Sequence, residues 1–137
     1  MLGARSPCSH ALPHSLSLLP ETLAVCRLAP DAPLPDWAAG EFVSITRTSD
    51  ELSIVCAEQN VPPSVRCERG WRCLKVAGPM DLSLTGVLAT LAVPLAEARI
   101  PLFAVSTYDT DYVLVKEAEV EKAVEVLRRE GHTVHAG

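Results

Sequence analysis

Residues 77–81 are predicted to form a turn whose backbone suits an anion. The preceding residues alternate in side-chain type, as in a strand, and this strand is predicted to end at Gly78. Apolar residues then fill almost every position of 82–99, with Asp81 or Ser83 available as N-cap, so a largely buried helix is predicted there. Because a helix N-terminus exposes unpaired N–H groups and glycine permits close approach, the turn suits a carboxylate. A glycine followed by proline also marks any strand end, so a purely structural interpretation stands beside this one.

Catalytic chemistry finds little support in the residue pattern. Asp109 and Asp111 are a conceivable carboxylate pair, but their spacing across a predicted hairpin turn favours turn formation and solubility. No glycine-rich phosphate loop, nucleophile elbow or paired acid–base motif is present. Four histidines lie near the termini without a carboxylate or thiol at metal-ligand spacing: His10, His14, His132 and His135. We therefore predict that the protein is not an enzyme and has neither a metal site nor a cofactor.

The cysteines indicate a reducing compartment. Their number, 5, is odd, and none forms a C-x-x-C pair in a chain without secretory features. We therefore predict free thiols and a cytoplasmic protein. Cys26 and Cys56 lie in apolar segments and are predicted to be buried as small hydrophobic residues. Trp37 and Trp71 are predicted to be core or interface anchors.

Composition excludes several classes of partner. The formal net charge of −5 gives no general attraction to nucleic acid, and no basic run interleaved with aromatic residues is present. The longest apolar stretch, 82–96, is too short to span a bilayer and is interrupted by Gly86 and Pro94. We therefore expect neither a nucleic acid nor a membrane as partner. Residues 1–19 are predicted to be a disordered extension, in preference to a signal peptide.

The second half of the chain predicts an α+β fold. From residue 71 the predicted elements are strand 71–77, helix 82–99, strands 100–106 and 111–116, helix 118–130 and strand 132–134. This βαββαβ order is that of a ferredoxin-like domain, with four antiparallel strands and both helices on one face. Its last helix is predicted to end at Gly131, and the two central strands to form a hairpin.

The first half repeats this order imperfectly. Strands are predicted at 22–28, 42–48, 51–57 and 65–68, with a hairpin at 42–57 and a turn at Arg69-Gly70. Proline-rich connections stand where the helices of the second half would lie. We therefore predict a degenerate, mostly β half over 20–68 and a complete domain over 69–137.

These features together resemble the ACT domain family. The resemblance rests on the βαββαβ order, on the strand-glycine-helix turn and on the segment 100–115; it is specific over about 65–134 and looser over 20–64. It is strongest to small stand-alone bacterial ACT proteins, aspartokinase regulatory domains and cytosolic arginine sensors. Membership would imply a regulatory module that binds an amino acid between its first strand-helix turn and the second strand of a facing ACT unit.

The resemblance also implies which residues contact the ligand. The first ligand loop would contain Gly78, Pro79, Met80, Asp81, Leu82 and Ser83, and the second Ser106, Thr107, Tyr108 and Asp109. Oxygen atoms of the second loop would accept hydrogen bonds from the ligand's ammonium group. Asp81 and Asp109 would favour a basic ligand such as arginine or lysine. The pair Gly86-Val87 matches a pair usual inside the family's first helix and is interpreted as a packing feature.

Two hypotheses about function follow. The first is a non-enzymatic amino-acid sensor that acts as a homodimer, in which the ligand shifts an equilibrium between states. The second is a structural or assembly module whose pocket has decayed and whose strand edges pair with a copy or a partner.

Overall fold

The computed structural model describes residues 13–78 and 86–136. Within them the elements follow in the order β1 (Ser15–Leu28), β2 (Ser44–Arg47), β3 (Leu52–Ala57), β4 (Cys67–Val76), α1 (Val87–Glu97), β5 (Leu102–Ser106), β6 (Asp111–Lys116), α2 (Val120–Arg129) and β7 (Thr133–His135). Single 3-10 turns, Glu58–Asn60 and Glu117–Glu119, follow β3 and precede α2. Neither described helix is long and apolar enough to cross a bilayer.

The described residues form two compact units. The helical unit contains residues 13–19 and 73–136, and the β unit contains residues 20–72. The division falls within the strands β1 and β4. Each unit has its own hydrophobic core.

The sheet of the helical unit has the strand order β7-β1-β4-β6-β5. β5 and β6 form the predicted antiparallel hairpin, with Ser106 opposite Asp111. β7 pairs in parallel with the start of β1, where Ser15 lies opposite Thr133. One prediction is therefore wrong: residues 15–19 are not an extension but part of a strand, and this strand adds one parallel pairing to the predicted antiparallel sheet. The reason is burial, because Leu16 is fully buried in the core while Ser17 is exposed.

Of the two helix ends that were predicted in this unit, one is confirmed and the other differs. α2 ends as predicted: Gly131 has a φ of +96°, and the backbone N–H groups of Gly131 and His132 donate to the carbonyls of Arg128 and Leu127, which is a Schellman motif. α1 begins at Val87, later than predicted, because Gly86 precedes it as N-cap with a φ of +79°. A left-handed residue cannot continue an α-helix. Among the described residues, nothing lies within 4 Å of a Cβ atom built on Gly86, so the packing role predicted for it is wrong.

The core of the helical unit is formed by the sheet and both helices. α1 and α2 pack on each other, α1 contacts β5, and α2 contacts β6 and β7. The buried apolar side chains are Leu16, Leu74, Val76, Leu91, Leu95, Ile100, Val113, Val115, Ala123, Val124, Val126, Leu127 and Val134. α2 supplies four of them, namely Ala123, Val124, Val126 and Leu127.

The β unit is a sheet with the strand order β2-β3-β1-β4. The β2–β3 hairpin was predicted and has Arg47 opposite Leu52. Its core contains the side chains of Ala24, Cys26, Leu52, Ile54, Cys56 and Val61, against which Trp37 packs. The predicted turn at Arg69-Gly70 is wrong, because β4 continues through both residues. Gly70 adopts a φ of +81° inside the strand, as glycines do at β-bulges.

Candidate functional site

Gly78 lies against the turn that joins β5 to β6. A Cβ atom built on Gly78 would be 3.0 Å from the carbonyl oxygen of Asp109 and 3.0 Å from Cβ of Thr110. Both distances are shorter than ordinary van der Waals contact. The absence of a side chain at position 78 is therefore what allows the end of β4 and this turn to approach one another.

Hydrogen bonds hold the turn in place. The backbone N–H and the hydroxyl of Thr107 donate to the carbonyl of Thr110, at 2.8 and 3.0 Å. The hydroxyl of Thr110, which is buried, donates to the carbonyl of Val76 at 2.7 Å. The turn is thus closed on itself and attached to the last residue of β4, so its position relative to Gly78 is well defined.

The predicted second ligand loop is exposed on this turn. Ser106, Thr107, Tyr108 and Asp109 are all solvent-exposed, Tyr108 at 81%. The loop offers hydroxyl and carboxylate oxygens, which accept hydrogen bonds from an ammonium group. Of the predicted first loop, Gly78 adjoins this turn within the same unit, whereas Pro79, Met80, Asp81, Leu82 and Ser83 lie outside the described residues.

The N-terminus of α1 carries backbone N–H groups that can donate hydrogen bonds. Among the described residues, no side chain caps it. The first hydrogen bond of the helix runs from the backbone N–H of Thr90 to the carbonyl of Gly86, at 3.0 Å. The N–H groups of the first turn carry the positive end of the helix dipole. The helix start that was predicted next to residue 82 is therefore at Gly86–Val87.

Two stacked imidazole rings connect β1 to α1 and were not predicted from the sequence. The rings of His14 and His132 are 5.8 Å apart at an angle of 13°. Nδ1 of His132 accepts the backbone N–H of His14 at 3.0 Å, so Nε2 carries the proton and donates to the carbonyl of Thr90 at 3.3 Å. Next to this pair, the backbone N–H of Ala77 donates to the carbonyl of Ser15 at 2.7 Å. These bonds link the first turn of α1 to the strand end at Gly78.

The surroundings of His14 favour its neutral form. Burial lowers its pKa, the ring of His132 lowers that pKa further, and the carboxylate of Asp111 acts in the opposite direction. No sequence signal could have identified the pair, because its members are more than a hundred residues apart. Within the described residues, no three histidine, cysteine or acidic side chains are grouped so as to hold a metal ion.

A separate concavity lies in the β unit. It has a volume of about 370 Å³ and is lined by Pro20, Glu21, Thr22, Ala57, Glu58 and Gln59. The carboxylate of Glu58 accepts the backbone N–H of Gly70 at 2.9 Å. The sequence did not predict this pocket, because its two lining segments meet only through the pairing of β1 with β3.

The bond between Thr110 and Val76 leads to a prediction for stability. Thr110→Val keeps the shape of the side chain but removes the donor, so the buried carbonyl of Val76 loses this partner, and we expect the free energy of unfolding to fall by about 1–3 kcal/mol. Urea unfolding should show a lower midpoint with an unchanged slope. Thr46→Val, on the exposed edge strand β2, should change the stability by less than about 0.5 kcal/mol. Equal midpoints for the two variants would show that the bond does not hold the turn.

Comparisons with known proteins agree with this architecture. The family model for the ACT domain matches residues 66–129, and a second model, described as an N-terminal domain, matches residues 21–64. The cytosolic arginine sensor for mTORC1 subunit 1 from Bos taurus is 29% identical over 108 residues, which cover 71% of this chain and 33% of that protein. The chain thus spans about a third of the length of this relative.

Solved structures extend the similarity over nearly the whole chain. A protein from Agrobacterium tumefaciens has a TM-score of 0.88 and 39% sequence identity, covering 93% of this chain and 96% of that one. A structure of aspartokinase alpha and beta subunits has a TM-score of 0.63 at 18% identity, covering 88% of this chain and 99% of that one. The second similarity concerns the fold alone.

Proposed function

Because residues 66–129 belong to the ACT domain family, we propose that the chain is a non-enzymatic regulatory module that binds a small ligand, an amino acid. One observation carries the proposal: Gly78 lies in contact with the backbone of Asp109 and with Thr110. This contact brings together the ends of the two loops that were predicted from the sequence to hold a ligand. A hydrogen-bonded turn and a strand end without a side chain form a firm base for such a site.

The two ends of an amino acid require opposite partners. A carboxylate is stabilised by backbone N–H groups, which we assign to the turn after Gly78 and to the uncapped start of α1. An ammonium group needs acceptors, which Ser106, Thr107 and Asp109 provide. We propose that residues 79–83 complete the carboxylate side. In the proposed dimer, a facing unit covers the site.

The charge of the loop favours a basic side chain. Asp109 is exposed on the turn, and Asp111 lies at the start of β6. Two carboxylates near the site attract a guanidinium or an ammonium group. The similarity to a protein named as an arginine sensor supports the same choice, so L-arginine is the first ligand to test.

Thermal unfolding with each of the twenty amino acids tests the proposal. A ligand present at a hundred times its dissociation constant stabilises the folded state by about 2.7 kcal/mol. We expect L-arginine or L-lysine to raise the midpoint temperature by roughly 5–10 °C and the acidic amino acids to have no effect. If no amino acid shifts the midpoint, the proposed function is wrong.

Matched carboxylate variants locate the binding. Asp109→Asn should weaken the binding of L-arginine roughly tenfold, since a charge-assisted hydrogen bond contributes about 1.5–3 kcal/mol. Asp50→Asn is the control, because Asp50 is an equally exposed residue in the hairpin turn of the β unit. Equal loss in both variants would indicate a general effect of charge and not a site at the β5–β6 turn.

A second candidate is an assembly module without a ligand. It is favoured by the position of β2 at one end of its sheet and by Ile45 on that strand, which is 42% exposed. The mass in solution separates the candidates. A dimer whose population changes with L-arginine supports the sensor, whereas an assembly of constant size together with a flat thermal panel supports the module.

A further inference from the structure

Two cysteine side chains on adjacent strands of the β unit are in contact. Cys26 lies in β1 and is 2% exposed, and Cys67 is the first residue of β4 and is partly exposed. Cys67 packs against the core cluster that contains Cys26, and its thiol is one of the groups that raise the pKa of Cys26. Directly beside them, the backbone N–H of Arg27 donates to the carbonyl of Arg66 at 2.9 Å.

This backbone bond defines the pairing of the two cysteines. In an antiparallel ladder, the residues next to a hydrogen-bonded pair form a non-hydrogen-bonded pair, whose Cα atoms are about 4.5 Å apart and whose side chains lie on the same face. Disulfides are found with Cα atoms about 4.4–6.8 Å apart. The pairing therefore places Cys26 and Cys67 where a disulfide can form without a large movement of either strand.

The third cysteine of this core is not positioned to compete. Cys26 lies opposite Ile54 on β3, so Cys56 is its diagonal neighbour, two residues further along. Diagonal neighbours are about 7–8 Å apart, beyond the disulfide range. The thiol of Cys56 is also directed to the carbonyl of Trp37, at 3.9 Å.

The two thiols differ in how readily a reagent reaches them. The pKa of Cys26 is raised to about 12, chiefly by burial and also by the nearby thiols of Cys67 and Cys56, while the guanidinium of Arg69 acts in the opposite direction. A buried, protonated thiol is a poor first nucleophile. Cys67 is partly exposed, so it is the thiol that meets a dissolved oxidant first.

We propose that Cys26 and Cys67 form a reversible redox site that is oxidised by a low-molecular-weight disulfide such as glutathione disulfide. Cys67 loses its proton to water, and its thiolate attacks one sulfur of the reagent, whose S–S bond breaks and releases one glutathione thiolate, which takes a proton from water. Cys26 then loses its proton to water as its sulfur attacks that of Cys67, and the second glutathione thiolate leaves and takes a proton from water. Two thiols of the chain are oxidised while one external disulfide is reduced to two thiols.

The resulting disulfide would join β1 to β4 and would close a loop of the chain that contains the β2–β3 hairpin. Disulfides in reducing compartments are mostly transient and sensory, and a pair on neighbouring strands of a folded sheet can respond without unfolding. The site is independent of the amino-acid loops, all of which belong to the helical unit.

Intact mass under native conditions tests the proposal. The full chain carrying Cys8→Ser is incubated with glutathione disulfide, because Cys8 lies outside the described residues. We expect the loss of two hydrogen atoms and no stable adduct, with digestion linking Cys26 to Cys67. Cys26→Ala should retain one glutathionyl group on Cys67, and Cys67→Ala should remain unmodified. Cys73→Ala, which removes a buried thiol of the helical unit, should behave like the parent.

Several outcomes would overturn the redox site. These are an unmodified parent chain, a lasting adduct on the parent, a bond to Cys56, or oxidation that occurs only in urea. Should Cys26→Ala fail to fold, Cys26→Ser provides the same test with a side chain closer in size. Circular dichroism of each variant distinguishes a folding defect from a missing nucleophile.

Discussion

Gly78→Val is expected to weaken the binding of L-arginine at least about tenfold and to lower the free energy of unfolding by about 1–3 kcal/mol. The Cβ atom of the valine would already lie 3.0 Å from the carbonyl oxygen of Asp109 and 3.0 Å from Cβ of Thr110. Neither neighbour can move easily, because the hydroxyl of Thr110 is bonded to Val76. The turn must therefore shift away from the strand end, and the proposed site widens.

The control for this variant separates backbone effects from the contact. Gly70→Ala introduces a side chain into open space at a φ of +81°, so it suffers only the cost of the left-handed conformation, about 1–2 kcal/mol. We expect similar losses of stability in urea for both variants but a loss of affinity for Gly78→Val alone. Calorimetric titration with L-arginine measures that affinity. If Gly78→Val binds as tightly as the parent, the ligand does not lie on this turn.

The elements that were predicted correctly have local signals. The β2–β3 hairpin follows from alternating side chains and the Ser49-Asp50 turn, and the end of α2 follows from Gly131 after two arginines. Each signal lies within a few residues of the structure it specifies. Neither depends on which distant segment packs against the element.

The elements that were predicted wrongly depend on distant partners. Residues 15–17 pair with residues 133–135, more than a hundred positions away, and without that partner their serines and leucines look like an irregular extension. A glycine in the sequence suggests a turn, and Gly70 does adopt the positive φ that is common in turns, but it does so inside β4. A strand is stabilised by its neighbours, so neither local composition nor a single glycine defines its ends.

The candidate site shows the same division. The turn at 107–110 was predicted from its hydroxyl-rich sequence, and its hydrogen bonds are local. Its contact with Gly78 arises from the placement of β6 beside β4, which is a property of the strand order. The sequence therefore predicted the two loops separately, and their approach at Gly78 and Asp109 within one chain depends on the strand order. That a ligand lies between facing units stays a prediction.

His132, which is distant in sequence, makes it possible for a proline to lie inside α1. Pro94 lies inside α1 and has no N–H group, so the carbonyl of Thr90, four residues earlier, lacks its normal helical donor. Nε2 of His132 supplies that donor at 3.3 Å. A proline that would otherwise leave a buried carbonyl unpaired is thus accommodated by an imidazole from the segment before β7.

His132→Leu is consequently expected to lower the free energy of unfolding by about 2–5 kcal/mol. The substitution leaves the part-buried N–H of His14 and the buried carbonyl of Thr90 without their partner, and an unpaired buried group costs about 1–3 kcal/mol. Urea unfolding measures the loss. His135→Leu, at an exposed position on β7, should cost less than about 0.5 kcal/mol.

A double-mutant cycle with Pro94→Ala isolates the role of the imidazole. Alanine restores an N–H group four residues after Thr90, so the carbonyl regains a helical partner whether or not His132 is present. We therefore expect His132→Leu to be less destabilising in the Pro94→Ala background than in the parent, with a coupling of about 1–2 kcal/mol. Additive losses would mean that His132 stabilises the unit by packing alone. The coupling, by contrast, would identify His132 as the donor that allows a proline inside the helix whose start we assign to the ligand site.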